Sequence, residues 1–218
     1  MFHPLDHPLE RGWVGRIDGD RVIQLAAQTL QSFFTGGGTA REHAVYPLAE
    51  VRLLAPVLHP PSIRLFEDRA SFAFANPAAI VGPGAAVVGP LSTLSVLPRL
   101  AAVIGAHGAI GGFTVFAEWR ALDVEPPKDR DFALGLGPVV VTPDDPDARR
   151  ARGVFPDFDW MAAVDFAAAG TVLFPGDIVA CPASTPLEEI QPGADVELEI
   201  DGIGVLAARL QAQQVSVE

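Results

Sequence analysis

No apolar run in this chain goes far before a glycine or a proline interrupts it. Glycine occurs 21 times and proline 20 times in 218 residues, with no repeat or low-complexity tract to account for them. Proline removes a backbone donor and fixes φ, while glycine marks tight turns. Long helices are therefore disfavoured, and short elements joined by turns are expected. Apolar residues make up 49% of the chain, enough to fill a sizeable core.

The segment GWVGRIDGDRVIQ, residues 12–24, reads as a hairpin about an Asp18-Gly19 turn. Leu25 to Phe34 is expected as a short helix stopped by Gly36-Gly37-Gly38. Val45 to Leu54 suggests an irregular segment and another strand, and the proline-rich stretch Pro56–Pro61 then marks a boundary. Residues 1–55 are accordingly read as a small N-terminal α+β domain and residues 56–218 as a second, larger one. In the larger part, strands are expected at Leu100–Ile104, Phe113–Phe116, Pro138–Thr142, Ile178–Ala180 and Val196–Ile200. The last alternates apolar and acidic residues, so one of its faces is expected to be wet. Asp159–Ala169 is the best helix candidate, ending at Gly170. Gly82-Pro83-Gly84 and Gly135–Gly137 lack the spacing and the following Lys-Ser/Thr of a phosphate loop and read as turns. The pattern as a whole predicts a β-rich α+β sandwich or roll.

A formal net charge of −12 disfavours a nucleic-acid partner, since phosphate repulsion would have to be overcome. Cys181 is the single cysteine, so no disulfide can form within the chain, which fits a reducing cytosol. The opening MFHPLDHPLERGW has no apolar signal core, and no apolar run is long enough to span a bilayer. A cytoplasmic chain without a membrane partner is expected. His3 and His7 are four apart, but Pro4 and Pro8 break any shared helical face, and a tail segment is expected there. His43 and His107 read as surface residues, Trp119 and Trp160 as core.

Several short motifs occur in a telling order. Pro60-Pro61-Ser62-Ile63-Arg64 is followed by Asn76-Pro77, Ile80-Val81-Gly82-Pro83-Gly84 and Pro90. Then come LAAVIG at Leu100–Gly105 and GFTVFAEW at Gly112–Trp119. Asp131-Phe132-Ala133, Gly137-Pro138 and Val141-Thr142 follow, with Pro175-Gly176-Asp177-Ile178 and Gly202-Ile203-Gly204 near the end. Together these resemble the fumarylacetoacetate hydrolase family, whose patterns include "NP…I.GP…P", "GFTVFNDW", "KDFA…LGP…VT", "PGD" and "GIG". The resemblance covers most of residues 56–210, and residues 12–55 look like the small N-terminal region of many bacterial members. It implies a mixed β-sandwich roll, a homodimer and activity on small dicarbonyl or enol acids. It also implies a magnesium or calcium ion, held by a Glu-x-Glu pair and an Asp on a neighbouring strand, that stabilises an enolate.

This chain departs from the family at that metal site. The Glu-x-Glu positions fall on Leu97 and Arg99, with Pro98 between them, and the third ligand falls on Glu118. Arginine stays protonated in proteins and cannot ligate magnesium. The Asp of the Arg-Asp-Phe entry motif falls on Leu65, and Phe66 to Phe74 contains no histidine where the family carries a catalytic one. The lysine two before the conserved phenylalanine falls on Arg130, the "GT" after PGD on Pro182-Ala183, and Ser-Ala-Arg-Asp on Arg120-Ala121-Leu122-Asp123. No metal is expected at the ancestral site, and no other cofactor is implied.

Two readings stay open. In the first, the chain is a repurposed, metal-independent enzyme acting on a small, anionic keto or enol acid by decarboxylation, isomerisation or cyclisation. Its candidate catalytic groups are Arg99, Glu118 and Arg130, and its candidate substrate contacts are Arg99, Arg130, Cys181 and Ser184. In the second, Arg99 and Glu118 form an ion pair that plugs a vacated pocket, and the chain binds a ligand without turnover or serves as a partner subunit. An open cavity lined by these arginines favours the first, a filled site the second.

Overall fold

Two neighbouring strands, Leu94–Ile104 and Ile110–Ala121, run antiparallel from Leu94 opposite Ala121 to Ile104 opposite Ile110. The chain is described here by a computed structural model covering residues 1–90 and 92–211. The two strands are joined by a tight turn in which His107 and Gly108 take positive φ, with His107 exposed. Side chains alternate between the faces of a strand. Val96, Leu100, Ala102 and Ile104 therefore share one face with Phe113, Val115, Ala117 and Trp119, while Ala101 and Val103 share the other with Phe116. Both faces are buried, which explains why these strands read as nearly unbroken apolar runs.

Around this pair the sheet reaches eight strands. Its order is Phe72–Phe74, Ile63–Phe66, Ile178–Ala180, Leu94–Ile104, Ile110–Ala121, Leu134–Val141 and Ile80–Val81, with Leu187–Ile190 pairing the first half of Leu94–Ile104. Ile178–Ala180 runs parallel to Ile63–Phe66, and Leu134–Val141 parallel to Ile80–Val81, so the sheet is mixed. A second sheet of Asp195–Ile200, Gly204–Gln211 and Ala85–Val88 covers one face through Val196, Leu198, Ile200, Leu206, Leu210 and Val87. The helices Pro146–Gly153 and Trp160–Ala168 add Ala148, Ala151, Trp160, Ala163 and Val164 to the same core. The architecture is the expected mixed β-sandwich roll with few helices. No helix among the described residues is long and apolar enough to cross a membrane.

Several local expectations match closely. Asp159 caps the helix Trp160–Ala168 by accepting from the Met161 and Ala162 amides. Asp195–Ile200 alternates buried and exposed as its sequence requires. Others need correction. The first hairpin turns at Gly19-Asp20, with Asp18 paired to Arg21, because Gly19 supplies the positive φ. Leu25 ends a strand, and the helix starts only at Leu30, where Thr29 and Ser32 form a reciprocal cap. Phe2–Pro4 is not a loose tail: it pairs with Val51–Leu53, and His3 is buried. Gly135 lies inside a strand rather than in a turn. A Cβ there would sit 2.9 Å from the Ala117 Cβ and 3.1 Å from Leu206, so glycine allows the two sheets to approach.

Residues 1–55 carry a three-stranded sheet of Gly15–Asp18, Arg21–Leu25 and Glu42–Pro47 around a small cluster of Phe2, Val22 and Val51. The helix Leu30–Thr35 ties this region to the larger part, because Phe34 is buried in the core on the Phe116 face. Gly111 makes room for it, since a Cβ there would lie 2.6 Å from the Phe34 ring. Phe34→Ala is predicted to lower the unfolding free energy by about 3 kcal/mol in urea denaturation. A loss below about 1 kcal/mol would show that the N-terminal region is not anchored through this ring.

Candidate functional site

The central strand pair sets the geometry of the site. Leu97 lies directly opposite Glu118, and Arg99 is two residues further along, so all three side chains share one face. Arg120, two residues beyond Glu118, joins them there. This juxtaposition follows from the register alone.

Arg99 and Glu118 are both completely buried. Arg99 Nε donates to Glu118 Oε2 at 2.9 Å, and Nη1 donates to the carbonyl oxygens of Phe66 at 2.7 Å and Cys181 at 2.8 Å. Those carbonyls come from the ends of neighbouring strands on the far side of Leu94–Ile104. Arg99 Nη2 lies 2.7 Å from Glu118 Oε2 without the alignment of a hydrogen bond. The second carboxylate oxygen is also engaged: Arg120 Nε donates to Glu118 Oε1 at 2.7 Å. Glu118 is thus clamped between two guanidiniums, each bonded to a different oxygen.

Arg130 stands at the rim, with Nη1 3.8 Å from Glu118 Oε1 and Nε donating to both oxygens of the nearly buried Asp129 at 3.1 Å. Hydrogen bonding to Asp129 raises the Arg130 pKa above its already high ordinary value, so this charge is permanent. The side chains of Arg120 and Arg130 remain 24% and 21% exposed, in contrast to the sealed Arg99. Glu67, 49% exposed, approaches the group from the bend after Ile63–Phe66.

The donor set does not fit a divalent cation. Magnesium requires a near-complete octahedron of oxygens. Here Leu97 offers none, Arg99 brings a positive charge to the spot, and both Glu118 oxygens already accept from arginines. No group of three or more His, Cys, Asp or Glu side chains among the described residues converges to hold a metal.

The other candidates lie apart from the arginines' exposed edge. The Cys181 side chain is buried in the core on the Trp119 face, where desolvation pushes its thiol up to about 12. A sealed, protonated thiol offers no nucleophile, and its residue serves Arg99 through the backbone carbonyl instead. Ser184 is exposed and bonded to the Pro98 carbonyl through its amide at 2.9 Å. Asp123 bridges structurally, accepting from the Thr93 amide and the Ser92 hydroxyl. A cavity of about 640 Å³ exists elsewhere, between Phe2, Leu30, Phe34 and Pro138–Thr142, and none of the clustered arginines lines it. Sequence reasoning overlooked Glu67 and gave Arg120 no role at the site. The i+2 spacing of Arg120 from Glu118 on a strand was the available signal for one, whereas the approach of Glu67 depends on how the sheet is ordered.

Residues 12–56 match the family model described as Rv2993c-like, N-terminal. The chain superposes on a 2-hydroxyhepta-2,4-diene-1,7-dioate isomerase from Mycobacterium marinum with a TM-score of 0.73 and 22% identity, over 93% of this chain and 94% of that one. A maleylpyruvate hydrolase from Sphingobium sp. SYK-6, solved with manganese(II) and pyruvate, gives 0.74 and 20% identity over 94% and 98%. The chain has the fumarylacetoacetate hydrolase fold. A 5-carboxymethyl-2-hydroxymuconate delta-isomerase from Mycobacterium smegmatis is similar at 0.71 and 20% identity, over 92% and 94%. Among curated proteins none matches significantly. The fold agrees with the resemblance to the fumarylacetoacetate hydrolase family read from the motifs.

In this version of the fumarylacetoacetate hydrolase fold, removing one partner of the buried pair strands the other. Arg99→Leu is predicted to cost about 3–5 kcal/mol in chemical denaturation, whereas Arg99→Leu combined with Glu118→Leu recovers at least half of that loss. Equal losses in the single and double variants would show that the pair itself is not the source. Folding raises the Cys181 thiol from 9.0 to about 12. Between those values the unfolded thiol ionises and the folded one does not, so this group's contribution to stability falls as pH rises through that window and is unchanged below it. At about pH 8, Cys181 is predicted to resist a thiol reagent until the protein is unfolded. Rapid labelling of the native protein would contradict the sealed position.

Proposed function

We propose that this chain recognises a small keto or enol carboxylic acid at an arginine-rimmed site without a divalent metal. The observation that carries this reading is the seating of Arg99. Its guanidinium is clasped by Glu118 and two backbone carbonyls, and Arg99 itself stands at one of the positions that the family resemblance gives to metal-binding acids. The positive charge of the ion is kept, but it is fixed in the protein. Arg120 and Arg130, partly exposed above it, are the groups placed to meet a ligand carboxylate, and paired guanidinium donors suit that geometry.

The names of the similar enzymes point the same way: one isomerises a dioate, and another was solved with pyruvate. A fixed cationic patch can stabilise an enolate, so decarboxylation, isomerisation or cyclisation is accessible without a metal-bound water. In this arrangement Glu118 acts by positioning Arg99 and Arg120, since both of its oxygens are already engaged. The same reading takes the chain to be a homodimer in a reducing cytosol.

A second reading, binding without turnover, draws on a specific observation. Arg99 and Glu118 are wholly sealed, as a plug would be, and the cavity of about 640 Å³ is not lined by the clustered arginines, which is the filled site that favours this second reading. Calorimetry with pyruvate and with maleate on chelator-treated protein tests the first reading. Binding is predicted to persist without metal and to weaken roughly tenfold in Arg120→Ala and in Arg130→Ala. No binding, or binding only after magnesium is added, would overturn the reading. Mass spectrometry of β-keto acids incubated with the same samples separates the two readings: product that disappears in Arg130→Ala marks an enzyme, and bound but unchanged acid marks a non-catalytic relative.

A further inference from the structure

Among the described residues, Glu67 is the one member of the arginine cluster whose side chain no hydrogen bond holds there. Its Oε1 lies 3.7 Å from Arg99, 3.6 Å from Arg120 and 3.9 Å from Arg130, close enough for attraction to all three and too far to bond any of them. The side chain is half exposed. Its backbone is fixed, with the Glu67 amide donating to the Ser71 carbonyl at 3.1 Å, so only the side chain is free to leave. Beneath it, the buried Arg99 Nη2 has no aligned hydrogen-bond acceptor among the described residues.

The local charge is informative. Arg99, Arg120 and Arg130 bring three positive charges, and Glu118 and Asp129 bring two negative ones, which leaves a surplus of one. Glu67 cancels that surplus. We infer that the Glu67 carboxylate is an internal stand-in for the ligand: it occupies the anion position of the arginine cluster and must swing out before a carboxylic acid can bind. This rests on the arginine-rimmed reading above and adds a built-in competitor to it. The matching ligand group is a single carboxylate, which would replace one negative charge with another and complete the bonds that Glu67 leaves unmade.

The test is the affinity for pyruvate, measured by calorimetry on full-length protein, for wild type, Glu67→Gln and Asp68→Asn. Asp68 is the adjacent acid. It bonds the Ala70 amide and forms no ion pair with these arginines among the described residues, so it controls for a general change in charge. Glu67→Gln is expected to bind pyruvate roughly fivefold more tightly than wild type, with Asp68→Asn unchanged. Unchanged or weaker binding in Glu67→Gln, with wild type still binding, overturns the stand-in and leaves the arginine-rimmed reading intact. An equal gain in Asp68→Asn also overturns it, since bulk charge then explains the effect. Absence of binding in all three proteins overturns both.

Discussion

The buried contact between Arg99 and Glu118 is the interaction on which the site depends. Two opposite charges sit at the centre of the sheet with no access to water. Such a pair is costly unless most of its remaining donors and acceptors are met, because the desolvation penalty can exceed the Coulombic gain. Here Nη1 of Arg99 reaches two backbone carbonyls, and the outer oxygen of Glu118 accepts from Arg120. The pair therefore joins three strands: Ile63–Phe66 at its end, Leu94–Ile104 and Ile110–Ala121, together with the segment entering at Cys181. A replacement that merely filled the space with apolar atoms would pack as well, but it would leave no positive charge under the rim. Under the proposed reading, the charge, more than the packing, is what Arg99 contributes at this position.

The surrounding fold makes that possible by burying both faces of the central strands. Sheet and helices cover the Trp119 side, and Phe34, Ala55 and Val57 cover the Phe116 side. The polar cluster sits where the second core gives way to the rim, so exposure rises from Arg99 to Arg120 and Arg130 and then to Glu67. That gradient divides the cluster between a sealed ion pair below and partly exposed side chains above.

Much of this was legible before the fold was seen, for identifiable reasons. The Leu97, Arg99 and Glu118 exchange stood out because ordered flanking motifs aligned it, and strand periodicity then placed the three on one face. Asp195–Ile200 and Trp160–Ala168 were readable because alternation and an Asp cap are local signals. The helix Pro146–Gly153 was not, being short and arginine-rich with only Ala148 and Ala151 buried. Gly135 resembled a turn because nothing local reveals that Leu206 packs against it from the other sheet. The approach of Glu67 was hidden for the same reason: it lies 32 positions from Arg99 in the chain and beside it only through the order of the strands. Cys181 follows the PGD turn, which suggested a substrate contact, but its side chain is a buried small hydrophobe and the residue meets Arg99 only through its carbonyl.

The proposed reading puts a guanidinium at the place where the family resemblance implies a cation. Anomalous diffraction from crystals grown with manganese tests it directly. The account predicts no manganese peak beside Glu118, with the Arg99 guanidinium in contact with its carboxylate. A peak at about 2.1 Å from a Glu118 oxygen, with Arg99 turned away, would contradict it.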